Sequence, residues 1–188
     1  YLYEFILKEL LKSKYIKKII ITTDYNLKSN NEKIVVYKRP KKLCSNCNMN
    51  LVINDVLKKF NGEDFIQVHA TNPCLKSLTL DAAISYYFKF KKKVDSIFAV
   101  NQFKKRLWNS EIKPYNHKFN DSPTTQNLSK LYEENSCFYI FSRSSFNKNF
   151  NRIGKKPGVF ETSIIESIDI DNIEDLELVK LIKKNKGY

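Results

Sequence analysis

The sequence predicts an α/β domain with a largely parallel sheet, and three observations lead to that class. Short apolar runs that suit buried strands alternate with longer segments whose apolar residues recur at helical spacing. Several of the apolar runs end in polar residues, as strands do where a sheet meets its ligands. The chain has 188 residues, of which 42% are hydrophobic, so residues 1–188 are predicted to form one domain with a buried core.

The alternation is clearest in the first hundred residues. In chain order the predicted elements are a helix over residues 2–11, strands over 16–24 and 34–37, a helix over 51–60, a strand over 65–69, a helix over 77–90 and a strand over 94–100. The last of these helices is predicted to have Ser77 as its N-cap. This order of strands and helices is typical of a parallel sheet.

A polar insertion over residues 101–130 interrupts this order. It contains Trp108, Pro114, Tyr115 and Pro123, and a stretch this long inside a compact domain is usually functional or an oligomer contact. After the insertion the pattern predicts strands over 138–141 and 164–170 and a last helix over 172–184.

The polar residues at the strand ends are the first candidate site. In parallel sheets ligands bind beyond the carboxyl ends of the strands. The sequence therefore predicts a common rim that contains residues 22–24, Arg39 and residues 69–73.

Two carboxylates near the end of the chain are the second candidate. If residues 165–170 form a strand, Asp169 and Asp171 lie on the same face, about 7 Å apart at Cα. Such a pair suits Mg²⁺, which takes hard oxygen ligands and shares them with phosphates. A cap-and-surface alternative stays open, because Asp171 with Glu174 three residues later resembles a helix capping box. Asp169 has no such role, and a carboxylate between two isoleucines is costly to bury unpaired.

The composition argues against two classes of partner. The net charge of +13 suits nucleic acid, but arginines are few and the lysines are spread beside apolar stretches, as on a solvated surface. No apolar run approaches the roughly 20 residues of a membrane span. With its four cysteines expected to be reduced, the protein is predicted to be cytoplasmic, with no nucleic-acid or membrane partner.

Seven short stretches form an ordered set along the chain. They are IITTD at 20–24, RP at 39–40 with Leu43, VHATNP at 68–73, DS at 95–96, PTTQ at 123–126, EN at 134–135 with FYIF at 138–141, and IDID at 168–171 with ED at 174–175. In this order they resemble the acylneuraminate cytidylyltransferases, also called CMP-sialic acid synthetases. The resemblance implies a three-layer, Rossmann-like nucleotide-sugar transferase fold with a mixed, mostly parallel sheet.

The resemblance also implies an activity. A CMP group would be transferred from CTP to an acidic nine-carbon sugar, a sialic-acid-like nonulosonic acid, with release of pyrophosphate and with Mg²⁺ neutralising phosphate charge. By resemblance the catalytic, metal-holding residues are Asp169 and Asp171. The insertion would exchange contacts across a homodimer, with local packing as the alternative role for Trp108.

The remaining site residues are assigned by the same resemblance. Those expected at the nucleotide are Thr23, Asp24 and Arg39. Those expected at the sugar are His69, Thr71, Asn72, Gln126 and Asn135.

Three departures from the family bear on activity and substrate. The family opens with a strand and a basic, glycine-containing loop that bind the triphosphate, whereas this chain opens on Tyr1 and has its single methionine at Met49, so we expect poor CTP binding by the chain as given. His69 stands where the family usually has Gln, and Thr124 where it commonly has an Arg that suits a carboxylate. Either the sugar is therefore a different acid, or another cation such as Lys104, Lys105 or Arg106 replaces that arginine. The alternatives to the implied activity are a nucleotidyltransferase for another sugar acid and a non-catalytic oligomerising relative.

Overall fold

A computed structural model describes residues 1–44, 47–121 and 123–186. Within them lie five α-helices and six β-strands. The helices are α1 (Tyr3–Lys12), α2 (Met49–Lys59), α3 (Ser77–Phe90), α4 (Arg143–Asn149) and α5 (Ile173–Lys186). The strands are β1 (Ile19–Thr23), β2 (Ile34–Lys38), β3 (Asp64–Val68), β4 (Ser96–Phe103), β5 (Leu131–Ser142) and β6 (Pro157–Glu161). None of the helices in these ranges has the length and apolar character needed to cross a membrane.

The strands form a mixed arrangement of parallel and antiparallel pairs. β1 and β2 pair in parallel, and the other four strands follow the order β3-β5-β4-β6. β5 runs antiparallel to both of its neighbours, while β4 and β6 are parallel. The predicted α/β class with a mixed sheet is therefore confirmed.

Helices cover both faces of the four-stranded sheet. One hydrophobic cluster joins α1 and α3 to Phe138 and Ile140 of β5. A second cluster joins α2 and α4 to Tyr139 and Phe141 of the same strand. Successive residues of a strand point to opposite faces, so β5 is packed on both sides and the fold has three layers.

The edges of β1 and β3 share one core without pairing with each other. Among the described strands β1 pairs only with β2, and β3 pairs only with β5. Ile21 of β1 and Ile66 and Val68 of β3 nevertheless pack against the same cluster. Each strand therefore presents one unpaired backbone edge beside a common core.

Most predicted elements of the first hundred residues are found close to their predicted positions. The helices α1, α2 and α3 begin and end within two residues of the prediction, as does α5. Strand β5 is much longer than the predicted 138–141, and the sequence patterns did not predict α4 or β6.

The strand predicted over residues 164–170 is wrong. The backbone makes a turn at 164–167, because the Ser163 hydroxyl accepts the Glu166 N–H at 3.2 Å and the Ser163 carbonyl accepts the Ser167 N–H at 3.1 Å. Residues 168–171 are then irregular and lie along the loop after β3, where the Ile170 N–H donates to the Thr71 carbonyl at 2.9 Å.

The cap predicted for α3 is also wrong. Ser77 is the first helical residue rather than the N-cap, and the preceding Lys76 makes no side-chain cap. Two distant carboxylates accept the free amides instead: Glu166 Oε1 from the Lys76 N–H at 3.1 Å, and Glu9 Oε2 from the Ser77 N–H at 2.9 Å. Tertiary structure thus supplies the anions that a helix N-terminus favours.

Candidate functional site

The carboxyl ends of β1 and β2 bring together the three residues predicted at the nucleotide. The Arg39 N–H continues the strand pairing by donating to the Thr23 carbonyl at 2.7 Å. Its guanidinium Nη2 donates to the Thr22 carbonyl at 3.0 Å and to the Thr22 hydroxyl at 2.9 Å. Arg39 Nε is buried without a partner, and Asp24 next to it is exposed. A held cation with an unused donor can bind an anion such as phosphate.

The loop after β3 is fixed by its contact with residues 168–170. Asn72 is fully buried, and its Nδ2 donates to the Ile168 carbonyl at 3.3 Å. Its Oδ1 is buried without a hydrogen-bond partner. The Thr71 carbonyl accepts the Ile170 N–H, so the loop and the segment hold each other. This contact, rather than a strand, brings Asp169 to the rim.

The two predicted metal ligands differ in their surroundings. Asp169 is half-buried, and its Oδ1 is buried with no hydrogen-bond partner. Asp171 is exposed, and among the described residues its one hydrogen bond is from its backbone N–H to Asp175 Oδ2 at 3.0 Å. The prediction that both lie on one face of a strand is wrong, because no strand forms there.

The capping role considered for Asp171 belongs to its neighbour. Asn172 Oδ1 accepts the Asp175 N–H at 2.9 Å, and Asp175 Oδ2 accepts the Asn172 N–H at 3.2 Å. These reciprocal bonds form a capping box at the start of α5, shifted by one residue from the predicted pair of Asp171 and Glu174. The Asp171 carboxylate is therefore not needed to cap the helix.

The fit of these residues to a metal can be judged from Asp169. Among the described residues no three His, Cys, Asp or Glu side chains are gathered into a metal cluster. Mg²⁺ does not need such a cluster, since it commonly keeps several waters and uses one or two carboxylates together with substrate phosphates. A buried carboxylate oxygen without a donor is a ligand of the kind that Mg²⁺ takes.

His69 follows β3 and lies beside the guanidinium of Arg152. Its Nε2 lies 3.5 Å from Arg152 Nη1. Burial lowers the pKa of His69, the charge of Arg152 lowers it further, and the Asp169 carboxylate opposes both. His69 is therefore neutral at pH 7.

Arg152 is the residue of this region that the sequence patterns missed. Its Nη1 donates to Gln67 Oε1 at 2.6 Å, and its guanidinium lies 3.5 Å from the centre of the Tyr139 ring. Burial lowers the pKa of Arg152, but a guanidinium stays charged at neutral pH. It lies in the loop between α4 and β6, two elements that were not predicted, so no sequence signal pointed to it.

The side-chain amide of Asn135 makes hydrogen bonds within the protein through both of its polar atoms. Its Nδ2 donates to Asn101 Oδ1 at 3.0 Å and to the Thr162 hydroxyl at 2.7 Å. Its Oδ1 accepts the Cys137 N–H at 3.2 Å. These bonds join β5 to β4 and to the residue after β6, where the pairing of β4 and β5 is irregular. A sugar contact by Asn135 remains a prediction.

Gln126 lies in the insertion, on a short 3-10 turn (Thr125–Asn127). Its side chain is exposed, and its carbonyl accepts from Lys104 Nζ at 2.5 Å. Arg106 is likewise held by backbone, because its Nε and Nη2 both donate to the Pro123 carbonyl. Within the described ranges no hydrogen bond joins Gln126 to the β3 rim, so its role at the sugar remains a prediction.

Comparison with known proteins identifies the family. The sequence profile of the cytidylyltransferase family matches residues 1–188. The fold and the match over the whole chain define a nucleotidyltransferase. The chain belongs to the cytidylyltransferase family, which makes CTP its nucleotide substrate. No curated protein matches the chain in sequence.

Solved structures share the fold at low identity. The CMP:2-keto-3-deoxy-manno-octonic acid synthetase complexed with CTP has a TM-score of 0.66 at 8% identity, over 98% of this chain and 88% of that chain. The 4-diphosphocytidyl-2C-methyl-D-erythritol synthase of Anaerococcus prevotii has a TM-score of 0.64 at 12% identity, over 98% and 86%. The 2-C-methyl-D-erythritol 4-phosphate cytidylyltransferase of Francisella tularensis has a TM-score of 0.62 at 17% identity, over 96% and 87%. At these identities the likeness shows the fold alone.

Proposed function

We propose that this cytidylyltransferase transfers CMP from CTP to a sialic-acid-like nonulosonic acid. The observation that carries the proposal is a pair of buried oxygens, Asp169 Oδ1 and Asn72 Oδ1, that have no partner at the end of β3. Unsatisfied buried polar atoms are uncommon and costly, and a bound substrate or ion would satisfy them. The Arg39 site at the ends of β1 and β2 supplies a cation for the nucleotide.

The proposal includes Mg²⁺ held by Asp169 and Asp171. Asp169 offers its unpartnered oxygen and Asp171 an exposed carboxylate that the helix cap does not use. When bound, Mg²⁺ neutralises negative charge on the triphosphate. Arg39 would contribute positive charge to the same phosphates.

The proposed transfer exchanges one phosphorus–oxygen bond for another. The anomeric hydroxyl oxygen of the sugar acid forms a bond to the α-phosphorus of CTP. The bond from that phosphorus to the bridging oxygen of the β-phosphate breaks, and pyrophosphate leaves with the electron pair. The hydroxyl proton passes to water. Positioning of the two substrates supplies much of the rate in such a reaction.

The strands β1 and β3 each have one edge that is unpaired within the described residues, and both pack on one core. An unpaired strand edge can take up a further strand. The activity is measured on protein expressed from the complete reading frame.

The proposal is tested by pyrophosphate release. Purified protein is given CTP, MgCl₂ and each of a panel of acceptors: nonulosonic acids, 2-keto-3-deoxyoctonic acid and methylerythritol phosphate. We expect release with CTP and a nonulosonic acid, and much less with ATP, GTP or UTP. The products are checked by mass spectrometry for the CMP-sugar.

Each other result changes the conclusion in a defined way. Release with a different sugar acid alone would support the second candidate, a nucleotidyltransferase for that acid, which the Thr124 departure favours. Release with methylerythritol phosphate alone would overturn the assignment to sugar acids. No release with any acceptor would support the remaining alternative, a non-catalytic relative of these enzymes.

We also propose a homodimer formed through the insertion. Its exposed apolar side chains lie close together: Trp108 contacts Phe119 at 6.1 Å between ring centres, and Ile112, Tyr115 and Phe119 are each more than 70% exposed. Clusters of exposed apolar residues mark protein interfaces. The short bridge between Trp108 and Pro114 keeps this cluster on ordered backbone.

Replacing Phe119 with Asp is expected to convert the dimer to monomer, weakening association by about 30-fold or more if Phe119 is an interface hot spot. The measurement is sedimentation equilibrium over a range of protein concentrations. Leu78→Asp is the matched control, since Leu78 of α3 is 79% exposed and Phe119 is 73% exposed. An unchanged association constant for the Phe119 variant would contradict a dimer through the insertion.

A further inference from the structure

Arg152 is held across two neighbouring strands. Gln67 of β3 and Tyr139 of β5 are register partners, so their side chains stand together on one face of the sheet. The guanidinium lies over the Tyr139 ring and binds Gln67 with Nη1. The Arg152 N–H also donates to Asn50 Oδ1 at 3.3 Å. The position and plane of the cation are therefore fixed by three contacts.

The charge of this guanidinium is not balanced. No carboxylate lies within ion-pair distance of Arg152 in the described ranges. The charge of Glu134 acts on Arg152 from beyond that distance, and its Oε1 accepts from the Tyr139 hydroxyl. Within those ranges Nε and Nη2 have no acceptor, although Arg152 is partly buried. A partly buried cation without a partner is costly, and binding an anion would offset that cost.

The surroundings of Arg152 are open to a ligand. It lines a cleft of about 540 Å³ together with Asn48, Asn50, Asn151 and Glu134. The cleft lies at the start of α2, the end of a helix that favours negative charge. Arg152 Nη1 also lies 3.5 Å from His69 Nε2, at the start of the loop that binds residues 168 and 170. The cation therefore borders both the open cleft and the loop of the proposed transfer site.

We propose that Arg152 recognises the acceptor substrate by binding its carboxylate through the free Nε–Nη2 edge. The inference rests on the proposed function and names the residue that would bind the carboxylate of its acceptor, a 2-keto sugar acid. In such an acid the carboxylate is attached to the anomeric carbon, so its carboxylate and its attacking hydroxyl lie close together. Arg152 contacts His69 at the start of the loop after β3, and the residues before and after Asp169 bond to Asn72 and Thr71 of the same loop.

A carboxylate fits this position better than a phosphate monoester. One guanidinium edge pairs with the two oxygens of a carboxylate in plane. A dianionic phosphate needs more positive charge than one guanidinium supplies, and the negative charge of Glu134 also acts on Arg152. Arg152 would thus bind the carboxylate in place of the arginine that the resembled family commonly has at the position of Thr124.

The test is a cycle of two enzymes and two substrates. Wild type and Arg152→Gln are assayed with a 2-keto sugar acid and with its C1 amide, at saturating CTP. We expect the substitution to raise KM for the acid about 10- to 100-fold, with KM for CTP unchanged. Wild type should prefer the acid over the amide by a similar factor, and Arg152→Gln should not distinguish them. A purely structural role would weaken both substrates equally.

The control variant is Arg106→Gln, which removes the rival cation of the insertion. Loss of acid preference in Arg106→Gln but not in Arg152→Gln would overturn the inference, and so would an enzyme that prefers methylerythritol phosphate. If wild type turns over no acid, the proposed function fails. The role of Arg152 is then tested by calorimetric titration, which measures the binding of N-acetylneuraminic acid and of its amide. Acid-selective binding that Arg152→Gln abolishes supports the inference, and its absence overturns it.

Discussion

Replacing Asp169 with Asn is expected to reduce CTP-dependent pyrophosphate release by at least about 100-fold, the size of effect seen when one electrostatic contact to a transition state is removed. The substitution keeps the shape of the side chain and removes its negative charge. Among the described residues Asp169 Oδ1 is buried and accepts no hydrogen bond, so this oxygen does not stabilise the fold. The measurement is the rate of release as a function of MgCl₂ concentration at saturating CTP.

The same substitution is expected to leave stability unchanged or to raise it. A buried carboxylate oxygen without a donor destabilises the folded state, and a neutral amide is cheaper to bury. Sites selected for activity commonly show this opposition between function and stability. Thermal unfolding without metal should therefore give Asp169→Asn a melting temperature at least equal to that of wild type.

Glu174→Gln is the matched control, since Glu174 is an exposed acid of the first turn of α5. It should keep the activity and the Mg²⁺ dependence of wild type. Full activity of Asp169→Asn would exclude Asp169 as a metal ligand. Activity lost together with a lower melting temperature would point to a structural role instead.

The parts of the fold that the sequence predicted are those fixed by local patterns. The helices α1, α2 and α3 have apolar residues at helical spacing, and β1 to β3 are short apolar runs. The missed elements lack such patterns: α4 is seven residues long and mostly polar, and β6 begins with Pro157 and Gly158, which strand interiors avoid.

The second half of the chain shows how local chemistry can override a pattern. The isoleucines at 164–170 alternate well enough to suggest a strand. The hydroxyl and carbonyl of Ser163 accept the amides of Glu166 and Ser167 and form a turn there. Asp169 still reaches the predicted rim, but it does so through the bonds of Ile168 and Ile170 to the loop at 71–72.

Arg152 could not be predicted because its surroundings are assembled from distant parts of the chain. Its partners Gln67, His69 and Tyr139 come from two other segments. In sequence it is one of several basic residues near 148–156. Only the pairing of β3 with β5 distinguishes it from a solvated surface cation.

Glu166 is the buried acid on which the stability of this region depends most. It is 7% exposed, and within the described residues its carboxylate accepts three hydrogen bonds: from the Lys76 N–H at 3.1 Å, the Thr79 hydroxyl at 2.7 Å and the Ser163 hydroxyl at 3.2 Å. It therefore caps α3 from about ninety residues away and fixes the turn that leads to Asp169. The charge also interacts favourably with the start of the helix.

Replacing Glu166 with Ala is expected to lower the free energy of unfolding by about 3–5 kcal/mol, because it leaves buried donors without an acceptor. For a domain of this size that corresponds to a fall in melting temperature of roughly 10 °C. Glu166→Gln should show a smaller loss, since the amide oxygen can still accept the two bonds made to Oε1, while the charge and the acceptor for the Ser163 hydroxyl are gone. Thermal and urea unfolding measure both variants.

Glu161→Ala is the control, because Glu161 is an exposed acid at the end of β6 and its loss should change the free energy of unfolding by less than about 0.5 kcal/mol. Amide exchange separates a local cap from a general core effect: the first turn of α3 should exchange faster in Glu166→Ala, and the centre of β5 should not change beyond the global loss. If Glu166→Ala unfolds at the same temperature as Glu161→Ala, the long-range cap does not stabilise α3. In that case the Ser163 turn would also have to hold the Asp169 segment without it.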